Sequence, residues 1–140
     1  VGISAAYQAS GMQLAGAGEL VSLEGYRDLA EQARELWSKV GLTNVTAVVG
    51  RFRESLPRVL DDGDLDYAFV DGNHQEAATL SYFDGITARV NPGALLVFDD
   101  INWSPGMRHA WQRIRDDPHV AVHAVTGRFG VVILSGTPRH

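Results

Sequence analysis

The sequence holds 140 residues, of which 45% are hydrophobic and 21% charged, enough for one domain with a real core and too apolar for a disordered chain. Its formal net charge of -5, with the arginines scattered rather than striped, points away from nucleic acid as a partner. No cysteine is present, which removes disulfides, thiolate metal sites and cysteine nucleophiles. No apolar run approaches the roughly 18 residues that would span a bilayer, so no membrane partner is expected. The start lacks the basic segment of a secretory signal, and cytoplasm is the expected compartment of a chain with nothing to oxidise.

In chain order, the small-residue segment from Ala5 to about Ala15 reads as a helix. A strand follows over Glu19–Glu24, then a helix over Gly25–Val40 with Leu29, Ala33, Leu36 and Val40 at helical spacing and Gly41 as its stop. Val45–Val49 is a β-branched strand, Phe52–Leu60 a short helix despite Pro57, and Leu65–Val70 a third strand ending at Asp71-Gly72. Gln75–Val90 is helical and closes at the Asn91-Pro92-Gly93 turn. Ala94–Phe98 is so apolar that it suits a strand buried on both faces of a parallel sheet. Pro105–Asp116 is a helix with its proline in the first turn. His119–Val125 and Phe129–Leu134 then form a hairpin around Thr126-Gly127-Arg128. Leu134–His140 reads as a polar tail without a role.

Strands alternating with crossover helices predict a single α/β domain over residues 1–140, doubly wound, mostly parallel, with an antiparallel hairpin strand at the C-terminal end. Ligands of such sheets bind beyond the carboxyl ends of the strands. Those ends carry Glu24, Gly50-Arg51, Asp71-Gly72-Asn73-His74 and Asp99-Asp100-Ile101-Asn102. Glu24 can accept hydrogen bonds from both hydroxyls of a ribose, or can favour the start of the next helix through its dipole. Gly2 and Ser4 stand at the first helix's N-terminus, where free N–H groups suit a negative ligand group, although a cap by Ser4 accounts for them too. Asp71, Asp99 and Asp100 can offer oxygen ligands to a hard cation, and His74 is a candidate general base. Helix capping is the alternative role for Asp71 and Asp99. Trp103 directly follows the last acidic strand end and can wall an acceptor pocket.

The run Leu20-Val21-Ser22-Leu23-Glu24, then Tyr67 to His74, then Val90 to Asp100 resembles class I S-adenosylmethionine-dependent methyltransferases, closest to the small-molecule O-methyltransferase-like branch. The resemblance implies a Rossmann-like sheet and S-adenosyl-L-methionine as cofactor. It sets Glu24 on the ribose, Arg51 and Phe52 near the adenine, and Gly2, Ser4 and Asp71 in the remaining cofactor set. It makes His74 and Asp99 the catalytic candidates. Asp71 and Asp99 fall where catechol-type relatives hold Mg²⁺ or another divalent cation, and Asp100 falls where those relatives carry an Asn ligand. The family's first strand and its opening glycines belong before Ile3, and only Gly2 remains of them, so the domain is expected to be cut within its Gly-rich motif. That strand normally lies mid-sheet, and its absence would leave an open edge on the strands ending at Glu24 and Asp71.

The expected activity is O-methylation of a small hydroxylated metabolite, with a divalent cation as an optional helper and a homodimer as an open assembly state. A degenerate fold that acts as a binding or dimerisation module is the alternative. A dinucleotide-dependent oxidoreductase would need G-x-G-x-x-G, which the remnant Gly2-Ile3-Ser4-Ala5-Ala6 does not continue. A phospho-acceptor receiver domain would carry its acidic pair early and close a late strand with lysine, whereas the only lysine here is Lys39.

Overall fold

A computed structural model of the chain describes residues 1–60 and 65–135; residues 136–140 of the tail lie outside them, while Leu134 belongs to the last strand. The contacts gather into two compact units, Val1–Asp61 and Asp62–His140.

In the first unit, α1 (Ile3–Ala15) precedes β1 (Leu20–Glu24), α2 (Arg27–Lys39), β2 (Val45–Val49) and α3 (Phe52–Leu60). The two strands are parallel and in register, from Leu20 opposite Val45 to Glu24 opposite Val49. Helix α2 turns Ala30, Ala33 and Trp37 onto Ala47, and Ala5, Ala6, Leu36, Leu42, Val45 and Val49 complete that core. This is the 3-4-7 spacing of an amphipathic helix, with small side chains letting the helix lie close to the strands. Its end is set by Gly41 at φ +74°, with the Leu42 N–H returning to the Trp37 carbonyl (2.9 Å), a closure that favours glycine because only it adopts that φ without strain. The outer side of β2 is partly closed by Arg34, whose guanidinium donates to the Ala47 carbonyl (2.8 Å).

In the second unit, β3 (Leu65–Val70), α4 (Glu76–Thr87), β4 (Val90–Phe98), α5 (Pro105–Arg115), β5 (Val120–Thr126) and β6 (Phe129–Leu134) follow one another. The sheet order is β3-β4-β6-β5. Strand β4 runs parallel to β3 and antiparallel to β6, and β5 is antiparallel to β6. The core is apolar and aromatic: Phe83, Phe98, Trp111, Ile86, Leu96, Ile114, Val132 and Leu134 are all buried, and the Phe98 ring meets those of Phe83 and Trp111 at tilted angles. Strand β4 begins four residues earlier than its apolar run suggests. Val90 pairs with Leu65, after which the register shifts and Leu95 pairs with Tyr67. The Asn91-Pro92-Gly93 turn is thus a bulge inside the strand. Asn91 Nδ2 holds it to Asp66 Oδ1 (2.8 Å), and Gly93 supplies φ +84°.

Among the described residues β1 bonds only to β2 and β3 only to β4. No described helix is long and apolar enough to cross a membrane.

Candidate functional site

The first unit carries the residues expected around a nucleoside. Glu24 closes β1 half-buried, and its Oε1 accepts the Tyr26 N–H (3.0 Å). That contact steadies the turn into α2 and leaves Oε2 without a partner among the described residues. The β1 and β2 ends are tied to each other by the Gly50 N–H donating to the Glu24 carbonyl (3.0 Å). Gly50 is required by space, since a Cβ there would stand 2.5 Å from the buried Ser55 hydroxyl. Beyond it Arg51 is exposed and Phe52 half-buried at the start of α3.

Gly2 is the N-cap of α1 with φ +74° and no side-chain cap. Ser4 lies exposed inside the first turn and is not the cap. The close approach that Gly2 permits is to α2: a Cβ would meet that of Ala33 at 2.7 Å, and its carbonyl accepts Trp37 Nε1–H (2.9 Å). The glycine therefore has a packing role that the sequence did not reveal.

The second unit gathers Asp71, His74, Asp99 and Asp100 after β3 and β4. His74 Nε2 is 3.8 Å from Asp71 Oδ1 and 3.7 Å from Asp100 Oδ2, and its ring faces that of exposed Trp103, centroids 6.2 Å apart. Asn73 and Asp100 both take positive φ, +46° and +52°. Asn and Asp enter this region more readily than other side chains, and such conformations collect at functional sites. Burial raises the Asp71 pKa above its ordinary value; neighbouring Asp99 and Asp100 raise it further, against the lowering pull of His74 and Arg128.

Asp99 is held by partners within the chain. Its side chain is 2% exposed, and both oxygens are engaged: Oδ1 accepts the Asp100 N–H (2.7 Å) and Oδ2 accepts Arg128 Nη2–H (2.6 Å). Arg128 Nη1 is also 3.6 Å from Asp100 Oδ1. Among the described residues no three His, Asp or Glu side chains are arranged to hold a metal ion. Asp71, Asp99 and Asp100 as placed therefore do not fit a divalent cation, since a guanidinium already stands against two of them. The sequence marks Arg128 only as a turn residue. The signal for its role is the register of β4 and β6: Phe98 pairs with Gly130, and the same register carried two residues further sets Arg128 opposite Asp100.

The methyltransferase-domain family matches residues 1–101. No curated protein matches the chain. Among solved structures, a cofactor-bound protein from MTB superposes with a TM-score of 0.72 at 23% identity, covering 86% of this chain and 63% of that one. An O-methyltransferase from Bacillus cereus in complex with SAH gives 0.69 at 20%, covering 84% and 63%. The O-methyltransferase TomG from Streptomyces achromogenes, involved in tomaymycin synthesis and solved with SAM, gives 0.67 at 24%, covering 85% and 63%. The chain thus spans less than two thirds of the length of each of these three structures.

Proposed function

Because the chain belongs to the methyltransferase-domain family, we propose that it transfers the methyl group of S-adenosylmethionine to a hydroxyl of a small-molecule acceptor. The observation that carries this reading is the family match over residues 1–101, which takes in Glu24, Asp71, His74 and Asp99. Similar structures holding SAH or SAM support the cofactor, and two of those proteins are O-methyltransferases.

The bound sulfonium supplies a methyl carbon already attached to a good leaving group, so the protein's task is alignment and removal of one proton. Glu24 offers its free oxygen to a ribose hydroxyl. Arg51 precedes α3 and Phe52 begins it, and together they give the adenine a flat, partly apolar neighbour. His74 accepts the acceptor's hydroxyl proton at Nε2, flanked by carboxylates that offset the charge it gains. Asp99 acts through Arg128 and the Asp100 backbone rather than on the acceptor. Trp103 gives the acceptor an apolar wall beside His74.

Calorimetric titration of S-adenosylhomocysteine into the protein and into Glu24→Ala tests the cofactor half. Micromolar binding to the wild type, weakened at least about tenfold by loss of the ribose contacts, is expected. No binding to the wild type at millimolar ligand would overturn the reading.

A further inference from the structure

A carboxylate buried as deeply as Asp99 needs a cation beside it or must give up its charge. Two kinds of cation can serve adjacent aspartates at a strand end. A divalent metal asks for free oxygen lone pairs in a near-octahedral shell. A guanidinium instead brings its own N–H donors in a planar fork. The two candidates leave different marks, and those around Asp99 are of the second kind. One terminal nitrogen of Arg128 donates to Asp99 at 2.6 Å and the other faces Asp100 at 3.6 Å, so the fork spans the pair.

The hairpin that delivers this fork is fixed by contacts independent of the charge. Thr126 pairs with Phe129, which makes Gly127-Arg128 a two-residue turn; Gly127 takes φ +59° and Arg128 takes no positive φ. That pattern suits a type II′ turn, whose first central residue is glycine. The Arg128 carbonyl accepts the Ile101 N–H (3.1 Å), which pins the turn against the end of β4. Below the guanidinium lies the Phe129 ring, 5.2 Å from Cζ to centroid, and Phe129 in turn rests on Phe69. A cation–π contact and a peptide hydrogen bond therefore hold the arginine where the carboxylates need it.

We infer that Arg128 is the resident cation of the Asp99–Asp100 pair, standing in the place of a divalent metal, so that this strand end is complete without one. The inference concerns the ion pair and holds whether or not the chain transfers a methyl group. Arg128 is accordingly a positioning residue: its guanidinium fixes the Asp99 carboxylate that accepts the Asp100 N–H, and its carbonyl accepts the Ile101 N–H, so the strand end is held beside His74.

The test is Mn²⁺ binding, followed by electron paramagnetic resonance and by melting temperature with and without EDTA, on the wild type, Arg128→Lys and Arg128→Ala. Expected is a wild type that takes up no stoichiometric Mn²⁺ at millimolar concentration and melts at the same temperature in EDTA. Arg128→Lys should behave likewise. Arg128→Ala should melt lower without metal, gain Mn²⁺ affinity on the order of tenfold or more because a competing positive charge is gone, and recover part of its melting temperature when Mn²⁺ is added. Stoichiometric Mn²⁺ uptake by the wild type, or a fall in its melting temperature in EDTA, overturns the inference. So does a folded Arg128→Ala that gains no affinity. If that variant does not fold, the wild-type and lysine titrations decide by themselves. The S-adenosylhomocysteine titration reports separately on the methyl-transfer reading.

Discussion

Gly130 lies against the indole of Trp111: a Cβ built on it would stand 2.5 Å from Cζ3 and 2.6 Å from Cε3. Trp111 is itself buried on Phe98, the strand partner of Gly130, so the ring has nowhere to retreat. Gly130→Ala is expected to lower stability by about 1–3 kcal/mol, as overpacking of a filled core does. Gly11, in the middle of α1, has open space around it, and Gly11→Ala should instead add about 0.5–1 kcal/mol through helix propensity. Urea midpoints at unchanged m would read both; equal shifts of one sign would sink the packing argument.

Gly2 and Trp37 are linked by the 2.9 Å bond from the indole N–H to the Gly2 carbonyl. Trp37→Phe removes one hydrogen bond while keeping most of the ring and should cost about 1 kcal/mol plus a small cavity term. Gly2→Ala must carry both φ +74° and the 2.7 Å approach to Ala33, and should cost more. Both effects are expected in the absence of any ligand. An unchanged urea midpoint for Gly2→Ala would return Gly2 to a role in ligand binding alone.

The raised pKa of Asp71 has a defined sign in stability. Its folded pKa lies above the unfolded one because burial, and then Asp99, disfavour the charged form. The native state therefore binds the proton more tightly. Asp71's contribution is fully present below the ordinary Asp range and is lost as pH rises through the raised value. Asp71→Asn should remove that loss, making stability less pH-dependent across this window. Arg128→Gln should push the Asp71 titration further up, because Arg128 is one of the groups holding it down. Carboxyl chemical shifts followed through a pH titration check both, and an Asp71 midpoint at or below the ordinary Asp value would refute the assignment.

Ser104 caps α5: its Oγ accepts the Met107 N–H at 3.1 Å, with Pro105 next in the first turn. Ser104→Ala should cost about 1 kcal/mol and Ser104→Asp almost nothing, since Asp caps as well as Ser. Thermal melts of the two variants would separate this capping role from general sensitivity of the loop that also carries Trp103; equal losses in both would count against it.

Much of this protein was legible without coordinates, for physical reasons that differ by element. The alternation of two-residue and 3.6-residue periods gave the strands and helices of both units, because period reports which face a residue turns inward. Gly41 marked the end of α2 because a left-handed closure selects glycine. Pro105 marked the start of α5 because its missing N–H is not needed there. Asp71, His74, Asp99 and Asp100 stood out as strand-end residues, and the structure does bring His74 beside Asp71 and Asp100. The end of α4 was less legible. Ala88 and Arg89 continue a pattern that the chain abandons so that Val90 can pair with Leu65.

The charge partner of Asp99 was decided only by tertiary structure. Sequence gave three carboxylates and a turn arginine 29 residues from Asp99, with nothing local to join them. A strand's periodicity tells which face it presents and not which strand lies beside it. Only the antiparallel pairing of β4 with β6 swings the Gly127-Arg128 turn over the end of β4. Gly2 tells the same story, since its need for a missing Cβ comes from Ala33, a residue on another helix. Local chemistry named the groups; long-range register determined which of them meet.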